Sequence, residues 1–76
     1  MKKIGKVINI TKEGHVTLSL LEMPRIGEEL YTKTGAVAGR VSRIFGSVKE
    51  PYCSVKPSIN QKILYTLIDD YLYGRG

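Results

Sequence analysis

Short runs of alternating apolar and polar residues, cut by glycine- or proline-bearing turns about every ten positions, recur along the chain. Period-two alternation sends successive side chains to opposite faces, so each run can bury one face and wet the other. Ile4, Lys6, Ile8 and Ile10 alternate across residues 3–11, and Val7 breaks the pattern, so some burial is expected on both faces. Lys12, Glu13 and Gly14 make a tight turn, after which Val16, Leu18 and Leu20 alternate with Thr17 and Ser19 to complete a hairpin. Pro24 to Gly27 interrupt the chain. Leu30 and Tyr31 open a short third strand that ends at Thr34 and Gly35. On the fourth strand Val37, Gly39 and Val41 share one face, extended by Arg43, while Ala38, Arg40 and Ser42 share the other. Residues 52–56 are expected as a fifth strand and 63–67 as a sixth. The pattern leaves Asp69 to Gly76 open between a helical turn and a frayed tail.

Six short strands in 76 residues leave few architectures. A chain of this size buries only about 60% of the surface its unfolded form exposes, so its core is modest. A flat six-stranded sheet would keep two open edges and a bare apolar face. A barrel pairs its own edges and fills its own interior. The expected fold is therefore all-β, a small six-stranded closed β-barrel forming one domain over residues 1–76, with its core at about 3–67 and a tail at 68–76. Gly39, inside a strand pattern, fits a bend or bulge at a barrel corner.

Composition narrows the function. With 42% hydrophobic and 25% charged residues the chain is an ordinary globular one. Its apolar runs are too short for a bilayer and no hydrophobic segment follows the first lysines, so the expected location is cytoplasmic, with no membrane partner. The formal net charge of +5 favours an acidic or nucleic-acid partner. Cys53 is the sole cysteine, which excludes an internal disulfide and a cysteine-based metal site; it reads as a small buried hydrophobe.

Catalysis needs a constellation, and none assembles. His15, the single histidine, follows a turn with no acid–base partner placed for it. Asp69 and Asp70 are adjacent, so their side chains point apart. Gly35, Gly39 and Arg40 lack the spacing and the lysine of a phosphate loop. No enzyme, no cofactor, no metal and no small-molecule substrate is expected; the chain reads as a binding module.

Residues 44–57, IFGSVKEPYCSVKP, indicate what kind. A nucleic-acid barrel interleaves aromatics with cations so that bases can stack. Arg40, Arg43, Lys49 and Lys56 supply candidate contacts to RNA or an acidic partner, but Tyr52 is the one aromatic placed among them. A protein-binding barrel instead exposes an apolar loop anchored by an aromatic and stiffened by prolines. Phe45, Val48 and Tyr52 are anchors of that sort, Gly46 allows an unusual turn, and Pro51 and Pro57 restrict the backbone. Ile44, Phe45 and Val55 serve equally well as core.

The run GRVSRIFGSVKEPYCSVKP, with GKV near the N-terminus and IGEELY before it, resembles the GAR subunit of H/ACA ribonucleoproteins, in the compact archaeal form without long glycine/arginine-rich tails. The matching positions are Gly39, Arg40, Val41, Ile44, Phe45, Gly46, Val48, Pro51, Tyr52, Val55, Lys56 and Pro57. Ser47 stands where proline is usual, which loosens the loop but leaves the anchors in place. The resemblance implies a six-stranded barrel similar to elongation-factor domain two. It implies docking on the catalytic subunit, the pseudouridine synthase, through Ile44, Phe45, Gly46, Val48, Pro51, Tyr52 and Val55, with guide RNA and the other small subunits reached indirectly through the complex. The implied role is to assist substrate loading and product release in rRNA modification. The alternatives are an assembly factor of the same particle, or an RNA-binding elongation-factor-like or ribosome-maturation barrel.

Overall fold

A computed structural model describes residues 1–75. Six strands close into a barrel: β1 (Lys2–Ile10), β2 (Val16–Leu20), β3 (Glu29–Tyr31), β4 (Val37–Gly46), β5 (Pro51–Pro57) and β6 (Tyr71–Gly74), with one short helix, α1 (Gln61–Tyr65), between the last two. The order around the barrel is β1-β2-β5-β4-β3-β6, and every neighbouring pair is antiparallel. Leu18, Leu30, Leu64, Leu72, Val7, Val16, Val41, Val55 and Cys53 fill the interior with essentially no exposure. Each large apolar side chain so buried contributes on the order of 1.5–3 kcal/mol of transfer free energy.

The sixth strand is not where alternation placed it. Residues 63–67 belong to α1 and the turn that follows it: Asn60 caps the helix, its side-chain oxygen accepting the Ile63 N–H at 3.0 Å. Ile63, Tyr65 and Leu67 do alternate, but Leu64 is the residue that the barrel takes in, with Ile59 and Leu67 packed against the same core. The strand that closes the barrel lies in the supposed tail, where Leu72 is fully buried between half-buried Tyr71 and Tyr73. Asp69, at φ 73°, turns the chain into it, and the bonds Asp69 N–H to Val7 O and Val7 N–H to Asp70 O, both 2.8 Å, tie that turn to β1. The barrel core therefore extends beyond residue 67, to Gly74.

Bulges correct two further expectations. In β1 the register slips between Val7 and Asn9, so Ile8 becomes the extra residue and lies 44% exposed while Val7 is buried. In β4 the register against β3 skips Ala38, which is buried, and Val37 turns outward. Gly39 then passes so close to β5 that a Cβ there would meet the Lys56 carbonyl oxygen, which is why a glycine occupies this corner.

Candidate functional site

The second bulge of β4 builds the candidate site. Against β5, Val41 pairs with Val55 and Arg43 with Ser54, so Ser42 is the extra residue, and its hydroxyl donates to the Ser54 carbonyl at 3.0 Å. One inserted residue reverses the facing of everything beyond it. Without it Val41, Arg43 and Phe45 would share the inner face. With it, Ile44 packs on the core and Arg43 and Phe45 stand outside.

Beyond the bulge, β4 and β5 form a hairpin in which Phe45 pairs directly with Tyr52 and Gly46 with Pro51. The Phe45 and Tyr52 rings stack, their centroids 5.8 Å apart and their planes 23° from parallel. The Arg43 guanidinium lies 4.9 Å from the Phe45 ring centroid, so a cation covers the end of the stack. Gly46 takes φ 94°, and a Cβ at that position would come within 2.5 Å of the Glu50 carbonyl oxygen. At the tip, Ser47 accepts the Glu50 N–H on its hydroxyl at 3.1 Å, closing the turn locally in place of a proline's fixed φ. Val48 stands on that tip 99% exposed, a bare isopropyl group with nothing of its own chain to cover it.

The site residues expected from sequence thus separate. Phe45, Gly46, Val48, Pro51 and Tyr52 come together at the hairpin, with Arg43 joined to them and Lys49 exposed in the loop. Ile44 is half-buried against the core. Val55 is a correction: it is fully buried between Val16 and Val41, so it fills the barrel and offers no surface to a partner. Arg40 and Lys56 pair with each other at the other end of β4 and β5, and Arg40 Nη2 is 3.7 Å from the Glu29 carboxylate on β3. They form a separate charged row rather than part of the aromatic cluster. Strict alternation does not show Arg43 and Phe45 layered on the outer face, because the bulge at Ser42 decides which face they take. The one available signal was their i, i+2 spacing on a strand.

Cys53 lies on the inner side of the same strand, and its burial pushes the thiol up to about 12, so it stays protonated and inert. Glu13 is held below the ordinary carboxylate range by hydrogen bonds from its own backbone and from Thr11, beside His15. Among the described residues no cluster of three His, Cys, Asp or Glu side chains is placed to hold a metal ion. No helix among them is long and apolar enough to cross a membrane.

Comparison with known proteins fixes the architecture. No family model matches the chain. An uncharacterized protein of Methanothermobacter thermautotrophicus is 29% identical over 75 residues, covering 96% of this chain and 82% of that protein. Among solved structures, the Gar1 domain of NAf1 superposes with a TM-score of 0.74 over 93% of this chain and 79% of that one, at 13% identity. The fold is Gar1-like. The closed six-stranded barrel expected from the alternation is the fold the chain has.

Proposed function

We propose that this protein is a non-catalytic subunit of an H/ACA RNA-guided pseudouridylation complex, docking its β4–β5 hairpin on the pseudouridine synthase. One observation carries the reading: a hairpin holds a stacked Phe45–Tyr52 pair and a fully exposed Val48 on the outside of a small barrel. Aromatic and apolar groups held in fixed positions are what dominate protein interfaces, because little side-chain entropy is lost when they are buried. The likeness of the barrel to the Gar1 domain of NAf1, and the IFG…PY run that forms the hairpin, point to this particle.

In this reading the chemistry belongs to the synthase. The docked barrel favours one state of a mobile element in its partner, and so acts on substrate loading and product release rather than on the chemical step. The test measures pseudouridine formation by a guide-loaded synthase under enzyme excess and under substrate excess, each with and without this protein. Stimulation should be clear in the multiple-turnover regime and small in the single-turnover one. Equal stimulation in both regimes, or none in either, overturns the proposed role. A second reading, an assembly factor of the same particle, takes support from the fact that the matching Gar1 domain is borne by a protein named NAf1. Absence of the protein from the active, guide-loaded particle would favour it.

A further inference from the structure

β6 brings two tyrosines to the opposite wall of the barrel. β6 lies between β1 and β3, with Lys3 paired to Tyr73, Lys6 to Tyr71, and Tyr31 to Tyr73. Leu72 is buried, so Tyr71 and Tyr73 both face outward and both are half-buried, their rings partly open to solvent. The Lys3 ammonium sits 4.4 Å from the Tyr71 ring centroid, and the Arg75 guanidinium 5.8 Å from that of Tyr31. Tyr31 itself is buried, so the open rings are Tyr71 and Tyr73, flanked by Lys3 and Lys6 on β1 and by Arg75 just past β6, an arrangement of rings among cations that β4 and β5, with one aromatic pair, do not provide.

We propose that the outer face of β1, β6 and β3 binds single-stranded RNA, with bases stacking on Tyr71 and Tyr73 and phosphates drawn to Lys3, Lys6 and Arg75. Every base has a π-face, so tyrosine platforms accept them without sequence preference, and adjacent cations follow the backbone. A duplex hides its bases and is the poorer ligand. The phenol hydroxyls are within the same surface and give a donor or acceptor for ribose 2′-hydroxyls. The acids lie at the margins: Asp69 is 4.0 Å from the Lys6 ammonium, Glu29 is engaged by Arg40, and Glu28 stands against Gly74 at the Arg75 end, so the face is most cationic around Lys3 and Lys6. An acidic peptide would use the cations but leave the rings idle, so the rings favour RNA.

The test is independent of the docking reading, because it uses the free protein. Fluorescence anisotropy follows a labelled oligouridylate of about twelve nucleotides, a length suited to one small barrel. Replacing Tyr71 and Tyr73 by Leu should weaken binding about tenfold or more, whereas Tyr71→Phe with Tyr73→Phe should retain most of it and narrow the preference over the matching oligodeoxyuridylate. With three cations engaged, log K should fall with log salt at a slope of about −2. Lys3→Gln with Lys6→Gln should lower that slope, and Lys62→Gln on α1 should leave it unchanged. Circular dichroism confirms that each variant is folded; if the Leu pair unfolds, the lysine pair decides. Equal binding of a duplex, equal binding of the deoxy strand, full competition by polyglutamate, or unchanged affinity in the variants overturns the proposal.

Discussion

The Ser42 hydroxyl reaches the Ser54 carbonyl oxygen across the β4–β5 ladder at 3.0 Å, at the place where β4 carries a residue more than β5. That bond marks the point where the outer face of the hairpin is decided. Losing the hydroxyl in Ser42→Ala should cost only about 0.5–1.5 kcal/mol, since the bulge itself remains. Deleting Ser42 is a different matter. Restoring strict alternation would drive Arg43 and Phe45 inward and turn Ile44 out. Urea denaturation should show a small shift for the substitution and loss of cooperative unfolding for the deletion.

Val48 and Val55 lie on the same hairpin with opposite exposure, 99% against 0%. Val48→Asp should leave stability within about 0.5 kcal/mol of the parent and, on the proposed function, weaken docking to the synthase by about 2 kcal/mol. Val55→Asp buries a carboxylate among Val16, Val41 and the rest of the core, and should prevent folding. Thermal melts and a binding titration on the two variants separate surface from core.

Gly46 holds φ 94° at the mouth of the loop. Gly46→Ala requires both the left-handed backbone and a contact with the Glu50 carbonyl, so a loss of about 1–3 kcal/mol is expected. The same change should loosen the Phe45–Tyr52 stack, because Gly46 and Pro51 are the pair that ends the ladder. Denaturant midpoints give the first effect and near-ultraviolet dichroism of the tyrosines the second.

Burial raises the Cys53 thiol to about 12 from an ordinary value of 9.0. Between those two pH values the unfolded chain loses the thiol proton and the folded chain keeps it, so the unfolded state binds fewer protons. Stability from this group is therefore complete below pH 9 and falls as pH rises towards 12, by up to about 1.4 kcal/mol per unit. Other groups titrate in that range, so the readout is the difference between the parent and Cys53→Ala, which should shrink as pH rises from 8 to 10.5. A thiol reagent at pH 8 should leave the folded protein unmodified.

Much of the architecture was legible because Val16, Leu18 and Leu20 alternate without a break and pair with β5, where Cys53 and Val55 do the same. Where reading failed, the cause was one residue at a time. A bulge adds a residue without changing composition, so Ile8 and Val7 exchanged places, and Val37 and Ala38 did likewise. Ile63, Tyr65 and Leu67 satisfy a strand pattern, and only the Asn60 cap and the burial of Leu64 select the helix. Tyr71, Leu72 and Tyr73 do alternate, but over a stretch too short to stand out. At the site, the residue types were legible and their grouping was not. The pairing of Phe45 with Tyr52 depends on the hairpin register, which the loop Ser47–Glu50 sets.

The closing strand has a consequence for how the protein comes to be folded. β1 finds β2 across a short turn, but it finds β6 only after nearly the whole chain has been looped back, and β6 meets β3 through the single pairing of Tyr31 with Tyr73. Local hairpins form early and long-range closure late. Until Leu72 enters the interior, the edges of β1 and β3 remain open to other chains, and open edges promote association. The β4–β5 hairpin, by contrast, is local and needs only its own loop. The two outer faces thus mature at different times: the hairpin can present Phe45 and Tyr52 while the barrel is still open, whereas the tyrosine–lysine wall exists only once the chain has closed on itself.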